Sequence, residues 1–140
     1  LYSKKNQINY DFSISELNFS GDREINLKIK EKINNYTLNE KNKKFKLGIS
    51  STSKKTIIAK DNSGDATNFK IEITVDIEAL KNDSIRSNFV IIESFDYKNN
   101  SDKFELKNYE REIRNNLSNT ASNKLILRLS NIQWSQNRLK

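Results

Sequence analysis

Residues 69–79 read FKIEITVDIEA. Phe69, Ile71, Ile73, Val75, Ile77 and Ala79 fall on one side of an extended chain, and Lys70, Glu72, Thr74, Asp76 and Glu78 on the other. A two-residue period of this kind is that of an antiparallel strand with one buried and one wet face. Such a strand needs neighbours and a covering layer, and the flanking sequence supplies both.

On its N-terminal side, Asp61-Asn62-Ser63-Gly64-Asp65 is dense in turn formers and reads as a hairpin. The same residues are a poor cation loop, because the bidentate Glu that closes one is missing. Before the hairpin, residues 54–60 read as a short strand around Thr56, Ile57, Ile58 and Ala59, and Phe45, Leu47 and Ile49 as another. Lys54 and Lys55 read as a solvated strand end, since no Gly-rich strand-to-helix turn surrounds them. On the C-terminal side, residues 81–84 form a second turn. Residues 88–97 then make a strand with Phe89, Ile91, Phe95 and Tyr97 on its inner face. Val90 and Ile92 point the other way, which predicts that part of the outer sheet surface is either covered or meets a partner.

Further out, residues 7–14 alternate through Ile8, Tyr10, Phe12 and Ile14 and read as a first strand, with Leu17 and Phe19 following. Ser20 or Asp22 is placed to cap a segment over 22–35 with Ile25, Ile29 and Ile33 at four-residue steps. Ile25, Leu27 and Ile29 also fit a strand, and Ile33 with the Lys/Glu filling favours the helix. From Asp102 the period becomes helical, through Tyr109, Ile113, Leu117, Ala121, Leu125 and Leu129, and predicts a helix over 103–130 capped by Ser101 or Asp102. The polar residues 133–140 read as a frayed end. The expected architecture is α+β: one domain over 1–140, a two-layer sandwich with a mostly antiparallel sheet of four to five strands and two helices on one face.

Composition narrows the chemistry. The chain has 140 residues, of which 34% are hydrophobic, enough for one self-sufficient core. It contains no Cys, His, Met or Pro. Disulfides, zinc sites and imidazole-based triads are therefore excluded, and neither an enzyme, a metal nor a cofactor is expected. A formal charge of +7 predicts attraction to polyanions. The 21 Asn and the 19 Lys against 6 Arg suggest an AT-rich coding bias, which discounts part of that basicity. A basic nucleic-acid-binding module is the alternative reading, but it fits poorly: Tyr10, Phe12, Phe69, Phe89 and Phe95 all fall on the apolar faces, and no aromatic RNA-binding motif is present. Lysines at strand ends and turns (Lys54, Lys55, Lys60, Lys98, Lys103, Lys107) suit an anionic amphiphile better. No apolar run approaches the roughly 20 residues that span a bilayer.

The stretch IIAKDNSGDATNFKIEITVDIEAL, then FVIIESFDY, then NNSDKFELKNYEREIRNNLSNTASNKLILRLS, resembles the outer-membrane lipopolysaccharide-assembly lipoproteins of the LptE (RlpB) family. The resemblance rests on Gly64, Thr67, Asn68 and Phe69 at the turn opening a long strand. Phe95 and Tyr97 end the next strand, and Leu125, Ile126 and Leu129 end the helix. Leu1-Tyr2 also resembles the residues that follow the lipidated Cys in that family, so a signal and the Cys itself would precede this segment. The family implies a non-enzymatic protein, lipid-anchored on the periplasmic side of the outer membrane, that plugs an LptD-type β-barrel and binds lipopolysaccharide. By position, the implied lipopolysaccharide-binding residues are Lys60, Lys103 and Lys107, although the hairpin tip carries Asn62-Ser63 where a basic residue is expected. Val90 and Ile92 are the expected partner-binding residues.

Overall fold

The structure, a computed structural model, describes residues 12–38, 44–82 and 84–132. Strand β1 (Ser13–Gly21) leads into helix α1 (Arg23–Ile33) and a single helical turn, α2 (Asn35–Leu38). Three long strands follow, β2 (Lys44–Lys60), β3 (Ala66–Lys81) and β4 (Ile85–Lys98), and helix α3 (Lys103–Ser130) closes the described fold. The sheet order is β1-β2-β3-β4, with β1 parallel to β2 and the other pairings antiparallel. Both long helices lie on one face, α1 against α3, and α3 over β3 and β4. This is the two-layer α+β sandwich that the periodicity predicts.

Phe69, Ile71, Ile73, Val75, Ile77 and Ala79 are all buried beneath the helices. Phe12 stacks on Tyr36 at 4.7 Å and on Phe45 at 5.8 Å between ring centroids, closing the core at the β1 end. On α3 the buried line runs through Leu106, Glu110, Ile113, Leu117, Ala121, Leu125 and Leu129, while Tyr109 lies beside it, half-exposed. The helical stripe thus starts from Leu106 and Glu110, not from Tyr109. Ser118 and Ser122 are also buried, each donating its hydroxyl to the carbonyl four residues earlier at 2.7 Å.

Three element boundaries differ from the sequence reading. Of the strand expected at 7–14, residues 7–11 lie outside the described part, and the observed strand runs from Ser13 on to Gly21. Ile14 pairs with Phe45 and Glu16 with Lys46, so Ser15 is a bulge. The extra residue reverses the inward parity, and Leu17 and Phe19 share the core side with Ile14. The two short strands expected at 45–49 and 54–60 are one 17-residue strand, β2. Helix α1 ends at Ile33, two residues short of the expected limit. The frayed end expected at 133–140 also lies outside the described residues.

The β1–α1 junction is a polar pin. Asp22 caps α1, its carboxylate accepting from the Ile25 N–H at 3.0 Å. Its own N–H donates to the Ser51 carbonyl at 2.9 Å. The buried Ser51 hydroxyl lies 2.7 Å from Asn26 Oδ1, and Asn26 donates to the Ser20 carbonyl at 3.0 Å. Gly21 makes this approach possible: its φ is +93°, and a Cβ there would stand 2.1 Å from the Ser51 oxygen.

Candidate functional site

The β2–β3 hairpin tip and the start of α3 form one end of the molecule. Within the tip, the Asp61 carboxylate accepts from the N–H groups of Ser63 and Asp65 at 2.9 and 3.0 Å, and Gly64 takes the left-handed conformation. This is the hairpin turn read from the sequence, held by a carboxylate spent on its own backbone. The chain leaving β4 is tied to the same place. The Asn99 N–H donates to the Thr67 carbonyl at 2.8 Å and its side chain to the Ala66 carbonyl at 2.9 Å. Asp102 then caps α3, accepting from Phe104 and Glu105 at 3.0 and 3.2 Å.

These ties decide where the sequence-predicted lysines stand. Lys60 pairs with Ala66 in the ladder, next to the carbonyl that holds Asn99. Lys103 opens α3 four residues beyond Asn99, and Lys107 follows one helical turn later; Lys60, Lys103 and Lys107 are all exposed. Two further features of this end escaped the sequence reading. Phe104 is 73% exposed. Phe95, assigned by its parity to the core, is 46% exposed, because it sits on the outer strand beside the first turns of α3. A hollow of about 770 Å³ runs between β4 and α3, lined by Phe95, Tyr97, Lys98, Asn100, Leu106 and Tyr109. It joins aromatic surface to Lys98, and the acidic Asp96 and Glu105 also line it.

Beside the hollow, the buried Tyr97 and Glu110 form a polar cluster with the more exposed Lys55. Glu110 on α3 receives the Tyr97 hydroxyl at 2.6 Å and the Lys55 ammonium at 2.8 Å. The Lys55 ammonium also lies 4.2 Å from the centroid of the Phe69 ring. Lys55 is as exposed as a solvated strand end is expected to be, its side chain 44% accessible, but it also ties β2 to α3. Burial pushes the Glu110 carboxyl up, but the hydrogen bonds from Lys55 and Tyr97 and the charges of Lys55 and Arg114 outweigh this and hold it below the usual range. Burial, then the bond to Glu110, pushes the Tyr97 hydroxyl well above the ordinary tyrosine value. The cluster braces the hairpin against the helix. Among the described residues no group of His, Cys, Asp or Glu is arranged to hold a metal ion.

The outer face of the sheet carries Val90 and Ile92, 49% and 57% exposed, with no helix of the described chain over them. They stand opposite Asp76 and Thr74 of β3. Next to Val90 the face is dished over Gly48, a hollow of about 550 Å³ bordered by Asn18, Ser20, Ser50, Asp76 and Asn88. Lys60, Lys103 and Lys107 thus share one end of the molecule, and Val90 and Ile92 occupy a separate surface. No described helix is long and apolar enough to cross a membrane.

No protein-family model matches the sequence, and no curated protein matches it. Among solved structures, the rare lipoprotein B of Shewanella oneidensis superposes with a TM-score of 0.64 at 13% identity, over 83% of this chain and 94% of that one. A minor lipoprotein from Acinetobacter baumannii gives 0.66 at 10% identity, over 95% of this chain and 100% of that one. Lipoprotein B from Nitrosomonas europaea gives 0.53 at 12% identity, over 89% and 88%. The chain has the rare lipoprotein B fold, as its resemblance to the LptE (RlpB) sequences implies.

Proposed function

We propose that this protein is a lipopolysaccharide-assembly factor of the LptE kind. It is non-enzymatic, held at the periplasmic face of the outer membrane by a lipid on a preceding Cys, and seated in an LptD-type β-barrel. What supports this reading most is the fold correspondence over nearly the full length of rare lipoprotein B. The chemistry of the hairpin end is in keeping with it. Lysines set beside exposed aromatic surface suit a molecule with phosphates at one end and acyl chains at the other. In this reading Lys60, Lys103 and Lys107 contact the phosphates, and Phe95 and Phe104 offer apolar surface beside them. Val90 and Ile92 face the barrel, where an apolar patch contributes to a permanent interface.

Replacing Lys60, Lys103 and Lys107 together by Glu tests the ligand. All three are exposed, so the fold persists while binding of purified lipopolysaccharide falls. Unchanged binding by the triple variant overturns the assignment of these residues. Displacement of lipopolysaccharide by duplex or single-stranded nucleic acid at about 0.15 M salt replaces the reading with a nucleic-acid one. Co-purification of the tagged chain with a large outer-membrane barrel tests the partner.

A further inference from the structure

Strand β1 leaves the sheet at Gly21, opposite Ser51, but β2 continues to Lys60. From residue 52 onward β2 is therefore an edge, and no described element pairs with it on that side. The direction of its backbone groups follows from one bond. The Ser51 carbonyl points away from β3, since it accepts from the Asp22 N–H. In a strand the N–H and C=O of one residue point to the same side, and the side alternates along the chain. Ser53, Lys55 and Ile57 consequently present their N–H and C=O groups outward, while Thr52, Lys54 and Thr56 serve the ladder with β3. The regular run ends at Ile58, where the register with β3 shifts. What remains is an edge of about 20 Å, in line with β1 and ready to be extended.

The side chains along this edge select its occupant. Ser53 and Ile57 are exposed although their parity puts them on the helix face, because α1 begins at Arg23 and covers only the β1-paired part of β2. A strand laid on this edge would meet Lys55 on the helix side, with Arg114 near enough to act on both Glu110 and Tyr97. Lys55 and Glu110 are paired with each other, and Tyr97 donates to the same carboxylate, so the net positive charge on this side is that of Arg114. On the outer side the added strand would meet the exposed Lys54 first, with Glu72 of β3 one strand further in, opposite it. Positive charge along a bare edge discourages a second copy from pairing there and favours an acidic strand instead.

We propose that residues 52–57 of β2 form a strand-addition site that takes an extended, acidic segment of another polypeptide, hydrogen-bonded to Ser53, Lys55 and Ile57. The edge would take such a segment whether or not the hairpin end binds lipopolysaccharide.

The test titrates the isotopically labelled full chain with a short synthetic peptide alternating glutamate and valine, and follows amide exchange residue by residue. The expected result is slowed exchange at Ser53, Lys55 and Ile57, and little effect from a peptide with lysine in place of each glutamate. Ser53→Pro removes one outward donor without touching the ladder with β3, and should weaken binding by about tenfold. Should that variant fail to fold, two N-methylated peptides probe the same bonds on the unaltered chain. Methylating one set of alternate amides abolishes binding and methylating the other spares it. The proposal is overturned if the glutamate peptide leaves those three amides unprotected, or if both methylated peptides bind alike. It is also overturned if the amides are already protected in a dimer of the chain alone.

Discussion

Tyr97 and Glu110 meet at 2.6 Å, hydroxyl to carboxylate, and join the end of β4 to the second turn of α3. Lys55 enters the same carboxylate from β2, so three elements share one buried acid. Because the folded protein holds Glu110 below the usual carboxylate range, the unfolded chain binds a proton at this site more readily. The resulting stability is present above the ordinary carboxylate value and is lost as pH falls through the folded one. Glu110→Gln should cost about 1–3 kcal/mol at neutral pH, the loss of charge-assisted bonds around a Lys55 that can still reach water. The variant should also lose less stability than the parent between pH 7 and about pH 3. Urea midpoints at the two pH values measure both effects, and an equal acid loss in parent and variant would remove Glu110 from the account.

At the alkaline end the sign reverses. The folded protein favours neutral Tyr97, so above the ordinary tyrosine value of about 10 the unfolded chain ionises first and stability falls as pH rises. Tyr97→Phe should cost about 1 kcal/mol at neutral pH and lessen that alkaline loss. Unfolding midpoints on either side of the tyrosine range provide the check.

This cluster shows why the sequence told more about layers than about contacts. Residues 69–79 announce their strand because one face is covered along its whole length. Residues 52–60 of β2 are wet on both sides, so no apolar alternation marks them, and only the ladder with β3 reveals that they continue the strand. At Ser15 the bulge shifts the phase of β1, which makes Ile14 and Leu17 look like members of different elements. Glu110 stands at a core position of α3, but a charged residue there reads as surface until its partners are known. Those partners, Lys55 and Tyr97, come from strands separated by the hairpin, and no local pattern links them. Lys60 and Lys103 lie far apart in the sequence, and the ties from Asn99 to Ala66 and Thr67 are what bring them to one end.

The glycines give a graded test of the β1–α1 pin. Gly21→Ala combines a φ of +93° with a Cβ driven into the Ser51 carbonyl, a backbone atom that cannot swing aside. The strained conformation alone costs about 1–3 kcal/mol, and the clash adds to it. Gly64→Ala has the positive φ but open space, and should cost roughly 1 kcal/mol. Gly48→Ala has neither constraint and should be neutral or slightly stabilising. Thermal unfolding of the three variants should therefore rank them Gly48, Gly64, Gly21 from most to least stable; a Gly21→Ala protein as stable as Gly64→Ala would mean the junction adapts.

Ile73 and Ile92 separate the two faces of the sheet. Ile73 is fully buried under the helices, and Ile92, on the neighbouring strand, is 57% exposed on the opposite surface. Ile73→Ala leaves a cavity among packed side chains and should cost about 2–5 kcal/mol. Ile92→Ala removes a side chain already half in water, and should change stability by no more than about 0.5 kcal/mol. The pair compares a core loss with a surface loss at one residue type, so denaturant midpoints read the face assignment directly. Charge sharpens the comparison further. Ile92→Asp should fold like the parent, because its side chain meets solvent, whereas Ile73→Asp places an unpaired carboxylate in the core and should prevent folding. If Val90 and Ile92 face a barrel, Ile92→Asp also lowers co-purification of that partner while the unfolding midpoint stays in place. Loss of the midpoint together with the partner would show instead that Ile92 supports the fold.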